Sequence, residues 1–131
     1  MFAPGFRLSV FDLVVLISGM GGAIFLSSKV GVAGLAVAFV VGHFFLFCNV
    51  FRISRKPELI WAVVFISLAA ATMLAETPGW LVTFGGSFLL ALGLIYRETK
   101  QPSYHGVGWQ RLNPHLQDWW ENERGLRSEN Q

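Results

Sequence analysis

Charge is scarce in this chain: Asp, Glu, Lys and Arg make up 14% of its 131 residues, against roughly 25% in an ordinary soluble protein. No block of five like charges occurs. That removes the basic arm that commonly binds nucleic acid, and no nucleic-acid partner is expected. Cysteine occurs once, at Cys48 within an apolar run, so a disulfide-stapled secreted domain is excluded and the redox compartment is unspecified. Also missing are a Gly-rich phosphate loop ending in Lys-Ser or Lys-Thr, a nucleophile elbow and paired histidines at helical metal spacing. Gly19, Gly21 and Gly22 echo a nucleotide fingerprint, but they sit inside an apolar run with no strand before them. The expectation is a non-enzymatic protein with no catalytic residue, no metal and no cofactor.

In place of charge the chain has apolar side chains, 53% of the total, with a mean hydropathy of +0.52. Charge-free runs cover residues 13–28, 30–51, 59–75 and 77–96, and at ~1.5 Å per residue each approaches or crosses a hydrocarbon core ~30 Å thick. No ten-residue stretches alternate with period two, which disfavours a β-barrel and leaves helices to satisfy the backbone in lipid. The fold class expected is all-α. Residues 1–96 form a four-helix transmembrane bundle with spans at about 9–27, 31–53, 57–75 and 80–96, and the lipid bilayer is the first partner. Short connections make the topology up-down-up-down; Pro57 suits a first helical position and Pro78-Gly79 marks a turn. Arg7 before the first run is reminiscent of a signal peptide, but the apolar stretch persists to Lys29 with only a weak small-residue site at Gly21-Gly22-Ala23, so it reads as a permanent span.

Orientation follows from the Lys and Arg residues at the span ends. Arg7, Arg52, Arg55, Lys56, Arg97 and Lys100 fall on one side, and Lys29 alone on the other. Both termini are therefore expected in the cytoplasm, as in a protein of the bacterial inner membrane. Trp61 and Tyr96 near the basic side, and Trp80 near the other, read as interfacial anchors.

Helices in lipid approach closely through small residues. The second span has Gly34, Ala38 and Gly42 at four-residue spacing, with Asn49 and Arg52 within about 80° of that stripe on a continuous helix. Similar stripes are Thr83, Ser87 and Ala91 in the fourth span, Gly19 and Ala23 in the first, and Ser67 and Ala71 in the third. His43 projects roughly 180° from Gly34. A lone intramembrane histidine needs a polar partner. The plain reading is a hydrogen bond to another helix, and the sharper ones are a contact with a partner chain or ligation of a cofactor.

Asp12 is the one acid near the start of a span. Ser9 and Asp12 fit a capping box, in which each side chain satisfies the other's backbone N–H. In size and helix count alone the chain resembles small four-helix exporters, and that likeness would give Asp12 a proton-coupling role. Asn49, Arg52, Arg55 and Lys56 cluster at the basic end. The arginines and the lysine are what orientation requires, and they also suit an anionic lipid head group.

Residues 97–131 hold three of the five tryptophans and a balanced set of charges, too aromatic for a disordered tail. A loop through Trp109 leads to Asn113-Pro114, which reads as the cap and first residue of a short amphipathic helix over about 114–124 that stops at Gly125. Leu112, Leu116, Trp119 and Trp120 lie broadly to one side and must dock on the membrane surface, on the bundle's own end or on another protein. The acidic residues Asp118, Glu121 and Glu123 favour a protein over an anionic membrane. His115, Asp118 and Glu121 at three-residue spacing read as a solvated face rather than a metal site.

The function expected from these features is a non-catalytic accessory or assembly subunit of a larger membrane complex, with other membrane subunits or further copies of itself as partners. The alternatives are a small homo-oligomeric transporter or channel using Asp12, His43 or Asn49, and a redox or lipid-binding subunit using His43 or Arg52.

Overall fold

A computed structural model describes residues 3–129. Its helices are α1 (Val10–Lys29), α2 (Gly31–Phe45, continued by a π-helical turn over Leu46–Val50), α3 (Arg55–Ala75), α4 (Trp80–Thr99), α5 (Trp109–Leu112) and α6 (Leu116–Glu129), and no strand occurs among the described residues. Four of these segments, Val10–Lys29, Gly31–Val50, Arg55–Ala75 and Trp80–Thr99, are long and apolar enough to cross a membrane.

The capping box is present at the start of α1. Ser9 Oγ accepts from the Asp12 backbone N–H at 3.2 Å, and Asp12 Oδ2 accepts from the Ser9 backbone N–H at 2.8 Å. α3 begins at Arg55, two residues before the expected start, so Pro57 occupies the third helical position. The first-turn N–H groups of a helix have no intrahelical acceptor, so proline costs little there. α3 ends at Glu76 in a left-handed conformation (φ 55°).

α1 and α2 form one hairpin. Gly34 is buried against Ala23 and Ser27 of α1 so closely that a β-carbon would collide with the Ser27 side chain and the Ala23 carbonyl. Gly19 in turn receives Val41, which is seven residues beyond Gly34 and so within about 20° of it on the helix. The expected stripe on α2 is thus only partly the packing face. Gly34 is at the contact and Ala38 is half-buried, but Gly42 opens to free space because Val41 takes the next contact.

α3 and α4 form the second hairpin. Thr83, Ser87 and Ala91 are buried as the spacing predicts, with Thr72 Oγ1 and Thr83 Oγ1 hydrogen-bonded at 2.9 Å across the seam. On α3 the expected small stripe is not the buried one. Ser67 and Ala71 are exposed, and Ser67 donates to its own Val63 carbonyl, while Trp61, Phe65 and Thr72 face inward. Trp61 is therefore a core residue and not an interfacial anchor. Its Nε1–H donates to the Ser87 carbonyl at 2.8 Å. Phe47, Trp61, Phe65, Ala91 and Leu94 make up the core where α2 meets this pair.

The straight second span expected over 31–53 gives way at Phe45 to a π turn. Asn49 stays on the α1 side of this segment, where its amide reaches Asp12 Oδ2 and the Arg7 carbonyl, and the carbonyls of the last turn, which have no partner within a helix, accept from elsewhere. Phe47 O accepts from Ile53 N at 2.9 Å, Asn49 O from Arg7 N at 3.2 Å and Val50 O from Val107 N at 2.9 Å. Arg52 ends the segment with φ 48°, in the left-handed region that non-glycine residues seldom occupy.

The C-terminal segment begins by docking on this end of the molecule. Gly5 N donates to His105 O at 2.7 Å, and Gly106 lies so close to Phe51 that a β-carbon would meet its carbonyl. Asn113 does not cap a helix at Pro114. Its amide donates to the Pro102 and Tyr104 carbonyls at 2.6 and 3.1 Å, and α6 starts at Leu116 and runs through Gly125. Of the expected docking side, Leu116 is fully buried, Trp109, Trp119 and Trp120 are half-buried, and Leu112 is exposed.

Candidate functional site

A cleft of about 680 Å³ opens where the N-terminal segment, the π turn, the start of α3, the end of α4 and the C-terminal loop meet. Arg7, Ser9 and Asp12 line one wall; Cys48, Asn49, Arg52 and Arg55 a second; Glu58, Glu98, Ser103, Tyr104 and His105 complete it. Phe44, Ile53 and Leu59 supply an apolar part of the lining. The cleft thus gathers Asp12, Asn49, Arg52 and Arg55, four candidates separated by up to 43 positions in the chain. Lys56, the third member of the expected head-group cluster, is exposed and does not line it.

The carboxylates here are held by uncharged donors. Asp12 Oδ2 accepts from Ser9 N at 2.8 Å and Ser9 Oγ at 2.6 Å. The Asn49 amide, oriented to satisfy its neighbours, donates to Asp12 Oδ2 at 2.9 Å and to the Arg7 carbonyl at 2.6 Å. Asn49 is only 2% exposed, so these bonds replace the water it has lost. Glu98 accepts from Ser54 N at 3.0 Å, and Glu58 from the Cys48 thiol at 3.7 Å. The cations are treated differently. Arg52 donates to the Ala3 carbonyl at 2.6 Å, and among the described residues no arginine or lysine forms an ion pair with a carboxylate. Burial, and secondly the neighbouring Arg7 cation, hold the Arg52 pKa below its usual value; a guanidinium stays charged regardless.

Tyr104 closes the cleft from the C-terminal side. It is 2% exposed and donates to the Val107 carbonyl at 2.8 Å. Burial raises its pKa above the ordinary 10.0. The folded state therefore favours the neutral phenol, so its contribution is complete below pH 10 and is lost as pH rises from there through the raised value. An alkaline loss of protection against hydrogen exchange over residues 104–107 is expected in the parent chain and absent in Tyr104→Phe. A transition of unchanged size in that variant would assign it to another group.

His43 lies outside the cleft. The helix face opposite Gly34 is turned toward α3 and α4 of the same chain rather than toward a partner, so the ring is 6% exposed inside an aromatic box. It stacks on Trp61 at 4.5 Å with an interplanar angle of 10° and lies 4.1 Å from Phe39, with Phe47 and Phe88 edge-on. Nδ1 bonds the Phe39 carbonyl at 2.9 Å, one turn back on its own helix and not on another helix as the plain reading expects. Among the described residues Nε2 has no hydrogen-bond partner. At the far end of the chain His115 and Asp118 are 3.7 Å apart, both largely exposed on the solvated face of α6. Among the described residues no three of His, Cys, Asp and Glu come together as a metal-holding group.

Arg7, Glu98, Tyr104 and His105 were not singled out as site residues by the sequence. The available signal was an aromatic residue, Tyr104, in a Pro- and Gly-punctuated loop, a combination that marks a loop ordered by docking. Compared with protein-family models, with curated proteins and with solved structures, the chain matches none of them.

Proposed function

We propose that this chain is a non-catalytic accessory subunit of a membrane complex, spanning the bacterial inner membrane up-down-up-down with both termini in the cytoplasm. The observation that carries the reading is the direction of the polar groups within the spans. Thr72, Thr83, Ser87 and His43 are buried inside the chain, while the outer faces of the four helices present apolar side chains such as Leu35, Val63, Leu74, Leu81 and Leu89. Such faces suit lipid and neighbouring apolar helices, and polar groups buried within the chain do not line an aqueous path.

The C-terminal segment supplies the docking element. Its first half is spent on the bundle's own end, through His105, Gly106 and Val107. α6 is anchored at Leu116 and carries Asp118, Glu121 and Glu123, an acidic surface more suited to a basic protein face than to an anionic membrane. Affinity purification of the full-length chain from native membranes should return a stoichiometric membrane partner, and deletion of residues 116–131 should lose it. A chain that purifies alone, and whose reconstitution produces a solute flux abolished by Asp12→Asn, would replace this reading with the transport one.

A further inference from the structure

The unpaired arginines of the cleft point to a ligand. Arg7, Arg52 and Arg55 share one cavity with Asp12, Glu58 and Glu98, an arrangement that would ordinarily collapse into ion pairs. Among the described residues it does not; the carboxylates accept instead from uncharged donors, Ser9 and Asn49 at Asp12, Ser54 at Glu98 and Cys48 at Glu58. Among the described residues the guanidiniums of Arg7 and Arg55 have no ion pair or hydrogen bond, and that of Arg52 bonds only the Ala3 carbonyl. Three guanidiniums line one cavity without pairing to the carboxylates that share it.

The position of the cavity narrows the chemistry. Arg52 and Arg55 lie just past the end of one apolar helix and at the first residue of the next, which is the level of the phosphate layer in a bilayer whose core those helices cross. The lining also has an apolar part, Phe44, Ile53 and Leu59; Phe44 and Leu59 lie within the apolar helices, and Leu59 is 62% exposed. A polar chamber that opens over an apolar rim at this depth has the shape of an amphiphile. Arginine matches phosphate oxygens in bidentate geometry.

We propose that the cleft binds the phosphate group of a membrane phospholipid, with Arg7, Arg52 and Arg55 on the phosphate and the acyl chains leaving over Leu59. This is independent of the subunit reading, since it requires no protein partner. The test is native mass spectrometry of the full-length chain released from neutral detergent in the presence of phosphatidylglycerol, of diacylglycerol with the same chains, or of inorganic phosphate. Phosphatidylglycerol should be retained and diacylglycerol should not. Arg7→Gln and Arg55→Gln should each weaken retention about tenfold, the loss expected for one charge-assisted contact. Arg55→Lys should keep part of it, and Lys56→Gln and Arg97→Gln, on the same side but outside the cleft, should stay within about twofold. Melting temperatures measured without lipid separate loss of binding from loss of fold. Equal weakening by all four glutamine variants would reduce the effect to general attraction between a basic surface and anionic lipid, and would overturn the site. Binding of inorganic phosphate as tight as that of the lipid would overturn the lipid as its source.

Discussion

Gly34→Leu is expected to prevent the α1–α2 hairpin from closing, with a loss on the order of 3 kcal/mol or more, at or beyond the upper end of ordinary overpacking. The obstacle is backbone as much as side chain. A β-carbon at Gly34 would meet the Ala23 carbonyl and the Ser27 backbone nitrogen as well as Ser27 Oγ, and a helix backbone cannot swing aside as the end of a flexible side chain can. Only Val30 separates the two helices, so they have no slack with which to shift in register. Gly42→Leu is the matched control, because a β-carbon there meets nothing within 4 Å; it should leave the melting temperature in detergent nearly unchanged. Gly34→Ala should fall between the two. If Gly34→Leu melted with the parent chain, the close approach of α1 and α2 would be refuted.

That contrast separates what was legible in the residues from what was not. Four-residue spacing of small side chains nominates Gly34, Ala38 and Gly42 equally, since all three share a stripe on an ideal helix. Which of them meets the neighbour depends on the rotation of α2 about its own axis, and that is set by Val41 seating on Gly19 and by aromatic residues on the far side. Hydropathy locates the four long helices because the cost of burying charge in lipid is large and local. The π turn at Leu46–Val50 has no comparable local signal. The carbonyls of Phe47, Asn49 and Val50 at this end find donors in Ile53, Arg7 and Val107, the last two remote in sequence. The cleft depends on that turn. Arg52, Arg55 and Asn49 are readable as a basic, polar cluster, but their union with Arg7, Glu98 and Tyr104 is a property of chain closure that no spacing rule encodes. The capping box was readable because both of its members lie within three residues.

Trp61→Ala is expected to cost about 3–5 kcal/mol, the range for removing a large buried aromatic. Trp61 joins three helices at once. It is 3% exposed, stacks on His43 of α2 at 4.5 Å and on Phe65 of α3 at 5.4 Å, and donates to the Ser87 carbonyl of α4. Truncation would leave a cavity between the hairpins and would strip the His43 ring of its stacking partner, exposing a polar group in a region built to exclude water. Trp61→Phe divides the effect. It keeps an aromatic ring against His43 and Phe65 but removes the Nε1–H, so it should cost roughly 1 kcal/mol, the usual net worth of one hydrogen bond. Thermal unfolding in detergent, followed by tryptophan fluorescence in the alanine and phenylalanine variants alike, reads both. Because α1 touches α2 through Gly34 and Gly19, away from this residue, hydrogen exchange should rise in α3 and α4 of Trp61→Ala before it rises at the α1–α2 contact. A uniform rise across all four helices would mean that the two hairpins unfold as one unit and that Trp61 is not the joint between them.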